Sequence, residues 1–206
     1  MKSIVDVYPD LDGIQGDDRL PAMPSLAGYD EYTVNLYKNS HQGKEPPKNI
    51  TDEEWVQWRC DILNEFAERI WREIGAERNV RIHMAPSSYP WAKYEYLQDW
   101  PTWVNSGWVE AVLPQIYRYN ANDYLLTLQQ NLKYVKQEKQ NIFYPGVLIG
   151  VGSNPTVNAP ILEESIQLNR ASNIEGESFF YHESIFDSRV ADIIRRNNQA
   201  STYKKS

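Results

Sequence analysis

Short apolar stretches alternate with segments of helical periodicity five times along the chain, and this alternation restricts the fold more than any other feature. The predicted strands are Leu11 to Gln15, Val80 to Ala85, Trp108 to Tyr117, Ile142 to Val151 and Glu177 to Tyr181. They read as near-continuous apolar runs, the pattern of strands covered on their faces by crossover helices, so the expected sheet is parallel and the class α/β. No G-x-G-x-x-G follows any strand, which argues against a dinucleotide-binding doubly wound sheet. A (β/α) barrel instead carries its chemistry in the loops after the strands. Here those loops hold Asp17-Asp18-Arg19, His83 with Tyr89 and Trp91, Gln115 with Tyr117 and Arg118, Ser153-Asn154, and His182-Glu183.

The helices between them are marked to different degrees. Residues 3 to 8 fit a helix end or a short strand closed by Pro9. Residues 19 to 50 form a long Pro- and Gly-punctuated excursion, with a short helix expected from Tyr29 to Asn39. Thr51 and Glu54 stand at capping-box spacing, and Trp55, Trp58, Ile62, Phe66 and Ile70 then predict a helix with one apolar stripe, stopped by Gly75. Cys60 within it is expected to be an inert, buried or half-buried thiol. Further helices are predicted over Tyr94 to Val104 with a stop at Gly107, Asp123 to Glu138, Pro160 to Ser172, and Ser188 to Asn197. The expected organisation is a single domain over residues 1–198, followed by a polar tail at 199–206.

Composition removes several function classes. With a net charge of -7 and no basic run beyond Lys204-Lys205, the chain lacks a nucleic-acid footprint. One cysteine excludes an internal disulfide, three scattered histidines do not form a ligand motif, and neither a metal nor another cofactor is expected. No apolar run reaches membrane-spanning length, and Asp6 interrupts the apolar region that a signal peptide would need near Met1, which leaves the compartment open. Seven Trp and fourteen Tyr supply flat faces suited to sugars and equally suited to a core.

One ordered set of motifs is more specific. Asp12-Gly13-Ile14-Gln15-Gly16-Asp17-Asp18, Ala85-Pro86, Asp99-Trp100 with Trp103-Val104, Gly107-Trp108, Pro114-Gln115-Ile116-Tyr117, Gly150, and Phe179-Phe180-Tyr181 with Glu183-Ser184 together resemble the glycosyl hydrolase-like 10 family. The resemblance covers nearly the whole chain and implies a (β/α)8 TIM-type barrel acting on glycosidic bonds, its full-length members expected to be exported. The Asp-Gly-Ile segment corresponds to the fourth strand, so the implied fold is a partial barrel of about five β/α units, strands four to eight. The expectation is a truncated glycoside hydrolase acting on a glycan or polysaccharide, completed by another chain or a missing N-terminal segment. The alternative is a noncatalytic carbohydrate-binding or interaction protein, or an inactive hydrolase fragment.

Glycoside hydrolysis generally uses two carboxyl groups. The resemblance puts the catalytic aspartate at Asp17, as nucleophile or stabilising carboxylate. If the strand runs on, Asp17 and Asp18 point to opposite sides, Asp17 being preferred as the inward one while Asp18 braces the loop through Arg19. Glu183 is the remaining carboxylate by position, its alternative role being a carboxylate at the start of the following helix. Glu95 and Asp99 read as structural. His83 is a site or a core histidine. Gln115 and Tyr117, two apart, share a strand face suited to orienting hydroxyls. Trp91 and Trp100 are stacking platforms or core residues.

Overall fold

The computed structural model describes residues 1–150 and 159–198. Contacts gather the chain into two compact units, Met1–Glu110 and a second beginning at Ala111. Within each, short strands pair in parallel and helices connect them, so the protein is α/β. Ser153, Asn154 and the tail from residue 199 lie outside the described residues.

The first unit opens with helix α1 (Lys2–Val7) and strand β1 (Gly13–Gly16). The excursion that follows contains α2 (Glu31–Ser40), which is followed by α3 (Glu53–Ile70), running without a break into a π-helical turn at Trp71–Ala76. Strand β2 (Arg81–Met84) then lies parallel to β1, with Gly13 beside Arg81 and Gly16 beside Met84. Helices α4 (Trp91–Tyr96) and α5 (Trp100–Ser106) complete the unit. The two glycines of β1 are sterically required. A Cβ on Gly13 would lie 2.9 Å from the Arg81 carbonyl oxygen, and one on Gly16 would lie 2.6 Å from Met84 Sδ and 2.9 Å from the Leu20 carbonyl oxygen. The chain can turn back sharply after β1 only because Gly16 has no side chain.

Helix α3 departs from expectation in three respects. Its N-cap is Asp52, which accepts from Trp55 N at 3.1 Å, whereas the Thr51 hydroxyl donates to Asn49 Oδ1 instead. Its buried stripe is Val56, Cys60, Leu63, Ala67 and Ile70, while Ile62 and Phe66 stay 37% and 46% exposed. That stripe is as regular in spacing as the aromatic one, and its small Cys60 lets Val56, Leu63 and Leu97 close around it. Gly75 does not stop the helix; a Cβ there would meet Ile82 Cγ1 at 3.3 Å, so it allows the π turn to lie on β2. The left-handed residue after this helix is Asn79, at φ 55°. Burial pushes the Cys60 thiol up to about 12, which keeps it protonated and unreactive at neutral pH.

The segment predicted as one helix from Tyr94 to Val104 is two, because Leu97 takes a left-handed conformation between α4 and α5. Gly107 ends α5 as expected, at φ 77°. A buried polar network fixes this corner. Asp99 accepts from Tyr89 Oη at 3.2 Å and from Thr102 Oγ1 at 2.6 Å, and Asn64 accepts from Trp103 Nε1 at 2.7 Å. Trp100, fully buried, donates to the Ser87 carbonyl at 3.1 Å. It is therefore a core residue and not a stacking platform, and Asp99 is structural.

The second unit contains β3 (Ala111–Val112), α6 (Ala121–Leu132), a 3-10 turn at Gln137–Ile142, β4 (Gly146–Leu148), α7 (Ala159–Ala171), β5 (Ser178–Phe180), a second 3-10 turn at His182–Phe186, and α8 (Ser188–Asn198). Strands β4 and β5 are parallel, and parallel bridges link Val112 to Phe143 and Gln115 to Gly146. Helix α6 is shorter than its periodicity predicts, beginning at an Asn120 cap that accepts from Asp123 N at 2.8 Å. Buried Asn169 accepts from Tyr124 Oη at 2.9 Å, and Glu177 takes two bonds from Arg170, at 2.7 and 3.0 Å, which ties α6 and α7 to the start of β5.

Candidate functional site

In the first unit the candidate residues gather around the turn after β1. The strand ends at Gly16, one residue short of the point at which alternation would send Asp17 and Asp18 to opposite sides. Asp17 instead heads an Asx-type turn, its Oδ1 accepting from Arg19 N at 2.9 Å, and its side chain is exposed. Asp18 forms an ion pair with Arg19 Nη1 at 3.4 Å. The Arg19 guanidinium lies 4.0 Å over the Tyr96 ring, and that ring meets Trp91 edge-on with centroids 5.1 Å apart. Asp18, Arg19, Tyr96 and Trp91 therefore form one continuous row.

The row is held from beneath by Gln98, which is fully buried. Its Nε2 donates to the carbonyls of Asp18 and Pro21, both at 3.1 Å, clamping the two sides of the turn. Met23 N and Ser25 N donate to the carbonyls of Tyr96 and Glu95, each at 2.9 Å, and so dock the excursion on the end of α4. Gln98→Leu would strand the buried Pro21 carbonyl and remove the donor from the part-buried Asp18 carbonyl. Urea denaturation is expected to show a loss of about 2 kcal/mol, and an unchanged midpoint would refute the clamp.

His83 stands beside Gln15 in the β1–β2 register, half-buried, on the strand face opposite buried Ile82 and Met84. Burial and then the Arg81 charge lower its pKa, against the opposing pull of Glu110, so its imidazole is neutral at pH 7 and can both donate and accept a hydrogen bond.

The second unit holds the remaining candidates. Pro114 and Ile116 are buried while Gln115 and Tyr117 are half-buried, so the latter two share a side as their spacing predicts. Tyr117 packs on Phe180 with ring centroids 5.2 Å apart, and Phe180 on Tyr181 at 5.5 Å. Tyr181 Oη donates to Glu183 Oε2 at 2.9 Å, and this bond, more than burial, raises the phenol pKa. Glu183 is exposed in the first turn of the His182–Phe186 segment. The carboxylate at the start of α8 is Asp187, not Glu183. Asp187 Oδ1 accepts from Arg189 N at 2.9 Å, and the Arg189 side chain draws the Asp187 pKa down to about 2.

Tyr96 and Gln98 were not separable by type from the many aromatic and amide residues of the sequence, and Phe180 and Tyr181 stood in the resemblance motif without a role of their own; only their contacts give them one. Among the described residues, no group of three or more His, Cys, Asp or Glu is placed to hold a metal ion, and no helix is long and apolar enough to cross a membrane.

The profile of the glycosyl hydrolase-like 10 family matches residues 1–169 of the chain. The chain belongs to that family. No curated protein matches it. Among solved structures, the PgaB (BpsB) glycoside hydrolase domain from Bordetella bronchiseptica is similar, with a TM-score of 0.66 at 12% identity over 98% of this chain. The likeness at that identity concerns the fold, and the glycosyl hydrolase-like 10 chain spans 62% of the length of that solved domain. The motif that opens the sequence resemblance, Asp12 to Asp18, contains the β1 turn, within the matched range.

Proposed function

We propose that the protein is a glycoside hydrolase acting on a glycan or polysaccharide, built on strands four to eight of a (β/α)8 barrel as a single domain over residues 1–198. The missing strands would come from another chain or from a further segment. The observation that carries this reading is an exposed carboxylate turn, Asp17-Asp18-Arg19, at the C-terminal end of a parallel strand in a glycosyl hydrolase-like chain, since β/α barrels put their chemistry at that end.

Asp17 is the proposed nucleophile or stabilising carboxylate, with Asp18 and Arg19 shaping the turn. Glu183 is the proposed second carboxyl group, from its position after β5 and its bond from Tyr181. Arg19, His83, Trp91, Gln115 and Tyr117 are the proposed sugar contacts, donating, accepting and stacking as their side chains allow.

A second reading, a noncatalytic carbohydrate-binding protein or an inactive fragment, is favoured by one feature: Asp17 and Asp18 both already have partners within their own turn. Incubation with a panel of soluble and insoluble glycans, followed by a reducing-end assay, separates the two. Release of reducing ends is expected. Sugar binding with no release from any glycan would support the noncatalytic reading. A native mass matching a folded single chain would refute completion of the barrel by a second chain.

A further inference from the structure

We infer that Trp91, Tyr96 and Arg19 form a stacking subsite beside the Asp17–Asp18 turn, selective for pyranose rings with equatorial substituents. This rests on the glycan-directed reading above and adds a substrate class and a residue, Tyr96, to it.

Three tryptophans of the first unit, Trp55, Trp100 and Trp103, are fully buried, whereas Trp91 is 52% exposed. Its orientation is nevertheless fixed. Tyr96 is half-buried, stands at 83° to the Trp91 ring and is covered on one face by the Arg19 guanidinium. The open indole is thus a braced surface beside a row of polar groups. A pyranose chair with equatorial hydroxyls presents axial C–H bonds to such a surface and directs its hydroxyls outward around the rim. Arg19 is placed to meet those hydroxyls: its side chain is 53% exposed, and the ion pair with Asp18 occupies only part of a five-donor guanidinium whose face lies on Tyr96. The Asp17 and Asp18 carboxylates in the same turn as Arg19 disfavour a phosphate-bearing ligand. A furanose ring lacks the flat C–H face and would not fit this chemistry.

The test is calorimetric titration of cellohexaose, chitohexaose and an inulin-type fructofuranose oligomer into wild type, Trp91→Ala, Trp91→Phe and Tyr96→Ala. Circular dichroism confirms that each variant is folded. The pyranose oligomers are expected to bind, with inulin inert. Trp91→Ala should weaken binding by about tenfold, Tyr96→Ala by less, and Trp91→Phe should retain most of it. Equal binding by Trp91→Ala and wild type, equal binding of inulin, or no binding of any probe would overturn the subsite. The reducing-end assay is independent. Binding that depends on Trp91 without hydrolysis keeps the subsite and removes the hydrolase reading, and hydrolysis with Trp91-independent binding does the opposite.

Discussion

Asp17→Asn is expected to lower the release of reducing ends by about 10³-fold or more, the scale of losing a group that acts directly on the reacting bond. The substitution is chosen because asparagine keeps the acceptor oxygen that Arg19 N bonds at 2.9 Å, so the turn should survive while the charge is lost. Asp18→Asn provides the contrast. Asp18 faces Arg19 across a part-exposed pair at 3.4 Å, and such pairs contribute about 1 kcal/mol or less, so a loss of less than about tenfold is expected. Steady-state kinetics on a responsive glycan would read both variants. An Asp17→Asn enzyme at wild-type rate, or an Asp18→Asn enzyme with the deeper loss, would remove Asp17 from the role proposed for it.

The contrast matters because the turn itself is the part of the molecule that the sequence describes least. Alternation of apolar runs with helical periodicity was sufficient for the α/β class and for most of the order of its elements, since buried strands read as short apolar runs and helices repeat at 3.6 residues whatever the contacts in detail. Boundaries were less visible. The strand expected from Trp108 to Tyr117 is regular only at Ala111–Val112, because Pro114 lacks the N–H that a ladder needs. In α3 two stripes of equal regularity competed: Trp55 and Ile70 of the predicted one are buried, but between them the Cys60–Leu63–Ala67 side faces the core in place of Ile62 and Phe66. Thr51 lost the cap to Asp52, whose ionised carboxylate is a stronger acceptor than a hydroxyl already committed to Asn49. Gly75 looked like a stop, but a glycine can equally mark a close approach of helix to strand.

The candidate site divides along the same line. Asp17, Arg19 and Trp91 were visible because they sit in a motif or are unusual residue types in a loop. Gln98 and Tyr96 were not, because their roles come from bonds and ring contacts to residues some eighty positions away, such as the bond from Gln98 to Asp18. No local pattern encodes a contact of that separation. Asp17 shows the limit from the other side. The turn-forming and catalytic roles use the same carboxylate, so sequence and geometry together still need the kinetic contrast above.

Arg59→Met is expected to cost about 3 kcal/mol of unfolding free energy, because it removes the side-chain donor from the carbonyls of Ser25, Ala27 and Ile50 in the packed excursion. Arg59 is 4% exposed. Its Nη1 donates to the carbonyls of Ser25 at 2.5 Å and Ala27 at 2.8 Å, its Nη2 to Ile50 at 3.1 Å, and its Nε to Trp55 at 3.2 Å, while the guanidinium lies 4.4 Å over the Trp55 ring. One side chain on α3 thus closes both ends of the excursion between residues 19 and 50, which forms few regular backbone bonds of its own beyond α2. Methionine keeps the stem and removes the donors, so the loss reports hydrogen bonding more than packing. Arg59→Lys should recover only part of it, since a point-like ammonium cannot reach carbonyls spread over a planar fork. Urea denaturation gives the stability, and amide exchange across residues 21–50 should rise in Arg59→Met ahead of the rest of the first unit. Unchanged midpoint and protection would refute the anchor. The consequence extends to sugar binding, because Met23 N and Ser25 N, in the segment Arg59 holds, bond to the carbonyls of Tyr96 and Glu95. Loosening the excursion therefore frees the end of α4, and Arg59→Met is expected to weaken pyranose binding although Arg59 itself is buried away from any ligand.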